Sequence, residues 1–95
     1  MYSVYMLTNK WRTVVYVGMT DSLEGRLLDH KNGRFDGFTK RYNCTNLVYF
    51  EHHELGHAAA KRERQLKGWT RAKKNALIET LNPDWNDLSP LVLRA

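Results

Sequence analysis

The chain has 95 residues, 42% of them hydrophobic, and its 15 Lys and Arg exceed its 10 Asp and Glu by five. This length suits one small domain with one core and excludes two, so we expect a single domain over 1–95. The longest apolar runs, 14–17 and 47–50, fall far short of the roughly 18 residues of a membrane span, which excludes a transmembrane helix. The N-terminus lacks the basic start and apolar stretch of a secretion signal, and a single cysteine excludes an intrachain disulfide; we therefore expect a cytoplasmic protein.

Two segments near the N-terminus, 2–8 and 13–17, are rich in β-branched and aromatic residues and are separated by the polar turn "NKWR". This pattern predicts a β-hairpin whose second strand ends at Gly18. Tyr5 and Tyr16 lie near enough in register to be neighbours on one face of the hairpin. Aromatic pairs across strands commonly stabilise sheets, so the pair alone does not establish a function.

A helix is predicted to follow the hairpin. Asp21 can cap its N-terminus, because Glu24 stands three residues further on in the arrangement of a capping box. The helix should continue to about Lys31, where Asn32 and Gly33 end it.

The rest of the chain alternates turn residues with periodic segments. We predict a polar loop over 32–43, a third strand over 45–51, a helix from about Glu54 to Lys67, and a helix capped by Thr70 that runs to about Leu81. The tail "DWNDLSPLVLRA" is too short to be a domain. The order ββαβαα predicts an α+β fold, in which helices flank a small three-stranded antiparallel sheet.

Two polar residues of the first helix border its buried face. At 100° per residue, Leu23 and Leu27 face the sheet, while Arg26 and His30 lie on one flank, roughly 40° apart. A charge beside the core costs desolvation unless it has a partner or faces a water-filled cleft. The alternative is an arginine that extends over apolar surface and a histidine bonded to backbone.

An acidic residue occupies the corresponding place on the second helix. Leu55, Ala59 and Leu66 mark the buried stripe. Glu63 lies at the edge of this stripe as the sole acid among residues 55–78. It could form an i, i+4 ion pair with Lys67 on the surface. A carboxylate that faces a cleft also suits a hard divalent cation such as Mg²⁺, which takes one or two protein carboxylates and completes its shell with water and phosphate oxygens.

The segment 61–74 contains seven basic residues and one acid, which predicts binding of a polyanion; the alternative is a solvated helix surface. The candidate phosphate-binding residues are Lys61, Arg62, Arg64, Lys67, Arg71, Lys73 and Lys74. His53 and His57 lie four residues apart, but a predicted strand end and helix start separate them and no cysteine completes a tetrahedral set. We do not expect a zinc site there.

Together these residues resemble the GIY-YIG nuclease family. "SVY" at 3–5 stands where the family has GIY, and "YVG" at 16–18 stands where it has YIG. Arg26 and His30 match the arginine and histidine of the family's first helix, and Glu63 matches its metal-binding glutamate. The resemblance covers nearly the whole chain and is greatest to the small single-domain members.

The resemblance implies a phosphodiester hydrolase that uses Mg²⁺ or Mn²⁺ and acts on nucleic acid, with DNA favoured over RNA, in repair or recombination. Glu63 would bind the metal, and Arg26 would neutralise charge on the phosphate. Tyr16, with His30, would activate or orient the attacking water, and Tyr5 would position it. Asn82 in "LNPDW" corresponds to an asparagine near the family's C-terminal end, and the resemblance implies that it too belongs to the catalytic residues.

Two departures from the family pattern leave an alternative open. Ser3 replaces the glycine of GIY, and Met19 occupies a position where many members have a polar or basic residue. A module of the same fold that binds nucleic acid without cleaving it is therefore the second hypothesis. The sequence does not indicate the oligomeric state.

Overall fold

The computed structural model describes residues 1–34 and 37–93. The strands are β1 (Tyr2–Thr8), β2 (Val15–Thr20) and β3 (Asn46–His53). The helices are α1 (Leu23–Lys31), α2 (Phe38–Arg41), α3 (Gly56–Lys67), α4 (Arg71–Leu81) and α5 (Ser89–Val92). Among these described helices, none combines the length and the apolar character needed to cross a membrane.

The three strands form one antiparallel sheet in the order β2-β1-β3, with hydrophobic clusters on both faces. β1 is buried from both sides because its alternate residues belong to different clusters. Val4 and Met6 pack with residues of α3 and α4, whereas Tyr5 and Leu7 pack with residues of α1. This arrangement confirms the predicted α+β fold with a three-stranded antiparallel sheet.

β2 is longer than predicted and shifted towards the C-terminus. The prediction that it ends at Gly18 is wrong, because Ser3 of β1 still pairs with Thr20 two residues later. The predicted start is wrong as well. Thr13 belongs to the turn, where its backbone N–H donates to Asn9 Oδ1 at 2.9 Å.

The predicted cap of α1 is off by one residue. Ser22 is the N-cap: its backbone is extended at φ −143°, and its hydroxyl accepts from the Gly25 N–H at 3.2 Å. Asp21, the predicted cap, lies outside the helix and is exposed. The predicted C-terminus at Lys31 is confirmed, and Gly33 follows at φ +66°, where a residue without a Cβ is favoured.

α3 and α4 end as predicted, and Thr70 caps α4 by accepting from the Lys73 N–H at 3.2 Å. The short helices α2 and α5 are not predicted. Each spans four residues, too few to show a helical period, and α2 lies in the segment interpreted as a polar loop.

The C-terminal segment covers the outer side of β3 at a bulge. Val48 is the extra residue there, and its carbonyl oxygen accepts from Asn82 Nδ2 at 3.1 Å. The neighbouring Leu47 donates its N–H to Asp87 Oδ1 at 2.9 Å and accepts from the Leu88 N–H at 2.7 Å. These bonds satisfy backbone groups that an uncovered edge strand would expose.

Candidate active site

Three rings meet beside β2. The ring centroids of Tyr5 and Tyr16 lie 6.3 Å apart, and the His30 ring lies 6.2 Å from the first and 6.1 Å from the second. The predicted tyrosine neighbours on one face are therefore confirmed, and α1 adds the histidine to them. Tyr5 and His30 are buried, whereas Tyr16 is half-buried, so the group is reached from solvent at Tyr16.

Gly18 determines where the Tyr5 hydroxyl lies. The two residues are cross-strand partners, and a Cβ on Gly18 would lie 2.6 Å from Tyr5 Oη and 2.9 Å from Tyr16 Cε2. Real Cβ atoms essentially never show such distances, so both rings can hold these positions only over a residue without a side chain. The glycine of "YVG" is thus explained by side-chain packing rather than by a turn.

Two opposite charges on different helices affect the pKa of the Tyr5 hydroxyl. Burial raises the pKa of Tyr5. Nearby Tyr16 and the Glu63 carboxylate raise this pKa further, whereas the Arg26 guanidinium lowers it. Arg26 is carried by α1 and Glu63 by α3, and these helices pack on opposite faces of the sheet. The raised pKa keeps the Tyr5 hydroxyl protonated at neutral pH, where it can donate a hydrogen bond and cannot act as a base.

His30 is held in the neutral form by its surroundings. Burial lowers its pKa below the ordinary 6.5, and the positive charge of Arg26 lowers it further, while Asp29 opposes the change. A neutral imidazole at pH 7 has a nitrogen that can accept a proton. Of the three rings, His30 is therefore the one suited to act as a base.

Glu63 supplies one carboxylate to this region. Its side chain is 23% exposed, and Lys67 Nζ lies 3.4 Å from its Oε2 as an i, i+4 pair. Residues 1–34 and 37–93 contain no group of three or more His, Cys, Asp or Glu side chains that could enclose a metal ion. One carboxylate does not fit a closed zinc site, but it does fit a hard cation that retains water and phosphate ligands.

The seven basic candidates divide into two sets. Arg62 donates to Glu51 at 3.0 Å, and Arg71 donates to the backbone carbonyls of Arg12 at 2.6 Å and Thr13 at 3.1 Å, so both guanidinium groups already bind other groups of this protein. The other five, on α3 and α4, are four lysines and one arginine: Lys61, Arg64, Lys67, Lys73 and Lys74. Two of the five, Lys67 and Lys74, line a groove of about 300 Å³ together with Tyr16.

Asn82 lies at β3, away from the three rings. Besides its bond to Val48, its Nδ2 donates to the Asn86 carbonyl at 2.8 Å, and its Oδ1 accepts from the Asn86 N–H at 3.0 Å. The amide is 4% exposed, and its donors and acceptor are used within the protein. The asparagine therefore secures the C-terminal segment against β3 in this structure.

The two departures from the family pattern are accommodated by the sheet. Ser3 is buried, and its hydroxyl lies 2.8 Å from His52 Nδ1 on β3. Met19 packs against the cluster that α3 and α4 cover, on the face opposite Tyr5. Sequence reasoning missed Phe38, whose ring stacks on Tyr16 at 6.2 Å; the signal was its spacing of one helical turn from Tyr42.

Comparison with known proteins identifies the family. The sequence model of one protein family, described as the GIY-YIG catalytic domain, matches residues 1–76. A UPF0213 protein of Clostridium perfringens is 38% identical over 77 residues, which cover 81% of this chain and 82% of the relative. A UPF0213 protein of Syntrophus aciditrophicus is 35% identical over 82 residues, which cover 85% of this chain and 92% of the relative. The solution NMR structure of a UPF0213 protein from Bacillus halodurans has the same fold, with a TM-score of 0.59 and 24% identity over 96% of this chain and 97% of that one. The chain therefore belongs to the GIY-YIG family of nucleases.

Proposed function

We propose that this protein is a divalent-metal-dependent endonuclease that hydrolyses phosphodiester bonds in nucleic acid, preferentially DNA, and that residues 1–95 act as one nuclease domain. The observation that carries the proposal is the cluster of the Tyr5, Tyr16 and His30 rings beside Gly18. The charges of Arg26 and Glu63, carried by different helices, both affect the pKa of Tyr5. Packing alone does not require a cation and an anion near a buried tyrosine.

Each group of the site has a chemical role in this proposal. Arg26 neutralises charge that develops on the phosphate, for which its planar set of donors is suited. The protonated Tyr5 hydroxyl donates a hydrogen bond that positions the attacking water. His30 takes the proton of that water, and Tyr16, at the solvent side of the rings, orients it.

Glu63 is the residue that would hold Mg²⁺ or Mn²⁺. When bound, the cation supplies positive charge to the scissile phosphate and to the leaving oxygen. The ion pair with Lys67 has a role before binding, because it offsets the charge of the half-buried carboxylate. It also brings a second cation beside the position that a phosphate would occupy.

Nucleic-acid binding is assigned to the basic surface of α3 and α4. We propose that Lys61, Arg64, Lys67, Lys73 and Lys74 contact phosphates, and that Arg62 and Arg71 support this surface through their hydrogen bonds to other parts of the protein. Lys67 and Lys74 are nearest to the chemistry because their groove also contains Tyr16. Such contacts make affinity fall steeply with salt.

The test of the proposal is Glu63→Gln, which removes the charge and keeps the shape. We expect cleavage of DNA in Mg²⁺ or Mn²⁺ to fall by about 100-fold or more, because the group that holds the cation is lost. The thermal melt and the affinity for DNA in chelator should remain close to those of the parent. Cleavage by Glu63→Gln at the parental rate would remove the metal-binding role.

Glu51→Gln is the matched control, because the Glu51 side chain on β3 is 18% exposed, close to the 23% of Glu63. It should destabilise the fold by about 1–3 kcal/mol through its lost hydrogen bonds and leave the cleavage rate of the folded protein unchanged. A parent that binds DNA with steep salt dependence but cuts no nucleic acid in either metal would establish the alternative, a binding module of this fold.

A further inference from the structure

A row of three aromatic rings leads from the site to the surface. Phe38 stacks on Tyr16, with centroids 6.2 Å apart and ring planes 30° apart, and Tyr42 lies 4.8 Å beyond Phe38. Phe38 and Tyr42 are 45% and 38% exposed. We call Tyr16, Phe38 and Tyr42 the aromatic row.

Core packing does not account for the two outer rings. α2 is anchored by Thr39, which is 6% exposed and whose carbonyl accepts from the Cys44 N–H at 2.9 Å. Tyr16 packs against the cluster around Tyr5, but within residues 1–34 and 37–93 neither hydrophobic cluster includes Phe38 or Tyr42. Much of their ring area therefore faces water, in contiguous positions rather than singly.

Cations flank the aromatic row on both sides. Phe38 separates two grooves: one of about 300 Å³ contains Lys67 and Lys74, and the other, of about 580 Å³, contains Arg41. The Arg41 guanidinium lies 5.5 Å from the Tyr42 ring centroid. Exposed rings between two basic grooves match a chain whose flat bases alternate with phosphates.

We propose that the aromatic row stacks an unpaired base of the substrate beside the bond that is cut, so that the protein selects single-stranded nucleic acid or an unpaired segment. This inference rests on the proposed function and adds its substrate class. Bases within a duplex hide their faces in the stack, whereas an unpaired base presents its face to a side chain. Phe38 and Tyr42 would bind the base, and Lys67, Lys74 and Arg41 the phosphates on either side.

The experiment measures binding in chelator, so that affinity is read without cleavage. The probes are a single strand of about 12 nucleotides and the matching duplex, with a series of single strands in which each base in turn is removed. We expect Phe38→Leu, which keeps an apolar side chain without a ring face, to lose about tenfold in affinity for the single strand, with Tyr42→Leu similar. Phe38→Trp should bind as the parent does.

Removal of the stacked base should weaken binding to the parent but not to Phe38→Leu, since the interaction is already lost in the variant. Trp11→Leu is the matched control. Trp11 is 73% exposed with Lys10 Nζ 5.0 Å from its ring centroid, and it lies in the turn before β2 outside the aromatic row. It should leave affinity for the single strand unchanged.

The inference would be overturned if Phe38→Leu lost equal affinity for the single strand and the duplex, or if Trp11→Leu lost as much affinity for the single strand as Phe38→Leu. A parent that is insensitive to the removal of every base would also overturn it, independently of how the variants fold. Cleavage is assayed separately on both probes in Mg²⁺. A parent that stacks a base but cuts neither probe contradicts the nuclease proposal alone, whereas one that cuts both equally, with Phe38→Leu unaffected, contradicts only the aromatic row.

Discussion

The two outer strands of the sheet differ in what their surroundings leave available. At β3, Asn82, Asp87 and Leu88 bind the backbone around the bulge and cover the edge. At β2, Gly18 has no side chain, and the rings of Tyr5 and Tyr16 occupy the space above it next to a basic groove. One edge of the sheet is used for stability, and the other presents groups that can act on a ligand.

Two carboxylates show the same difference. Glu51 on β3 lies 2.6 Å from Tyr49 Oη, 2.6 Å from His53 Nε2 and 3.0 Å from Arg62 Nε. Burial opposes the change, yet hydrogen bonds from these three side chains lower the pKa of Glu51. Glu63 on α3 has a single ion pair, with Lys67 at 3.4 Å, among the described residues. The two carboxylates are similarly exposed, but Glu51 already binds three side chains and Glu63 is therefore better able to bind a cation.

Arg26→Ala should have the largest effect at the β2 edge. If the guanidinium stabilises charge in the transition state, turnover falls by about 100- to 1,000-fold while substrate binding weakens only modestly. Single-turnover cleavage measured beside equilibrium binding checks this. Arg34→Ala is the control, because it removes the same charge from an exposed position. Affinity that falls in step with rate would make Arg26 an ordinary phosphate contact.

Gly18→Ala tests the β2 edge by adding a single carbon atom there. The added Cβ would lie 2.6 Å from Tyr5 Oη, so the ring must move. We expect turnover to fall by about 10- to 100-fold and stability by about 1–3 kcal/mol. In Gly68→Ala the new Cβ meets its nearest neighbour at 3.5 Å, and parental activity is expected. Parental turnover by Gly18→Ala would show that the position of Tyr5 does not matter.

Asn82→Ala tests the β3 edge. It leaves the Val48 carbonyl without this donor, and we expect a loss of about 1–3 kcal/mol in the free energy of unfolding. Turnover per folded molecule should stay near the parental value. Denaturant unfolding and cleavage on the same preparation decide the outcome. Intact stability with lost turnover would instead place the asparagine in contact with substrate, as the family resemblance implies.

The smallest effect should be a pH dependence from His30. Because the folded protein has the lower pKa, the stabilisation is complete above the unfolded value near 6.5 and is lost as pH falls towards the folded value. Stability of the parent relative to His30→Gln should therefore decrease between about pH 7.5 and 5.5, a range chosen to avoid carboxylate titration. Denaturant unfolding of both proteins at each pH checks this. A relative stability that rises as pH falls would contradict the assignment.

Local pattern was enough to predict much of the fold and the identity of the candidate residues. Apolar periodicity predicts α3 and α4. The rotation of 100° per residue in a helix predicts that Arg26 and His30 share one flank of α1. The N-cap was misplaced because Asp21 and Ser22 are both capping residue types, and the choice depends on which backbone is extended. α2 was missed because a single turn has no period.

The sequence by itself determined which residues could form a nuclease site, because residue type and strand or helix period are local properties. Only the tertiary structure decided which of them meet. Glu63 and Tyr5 are 58 positions apart and on different elements, and the electrostatic effect of one on the other depends on how α3 packs on the sheet. The same packing commits Arg62, Arg71 and Asn82 to internal bonds, which depend on non-local partners that no sequence period encodes.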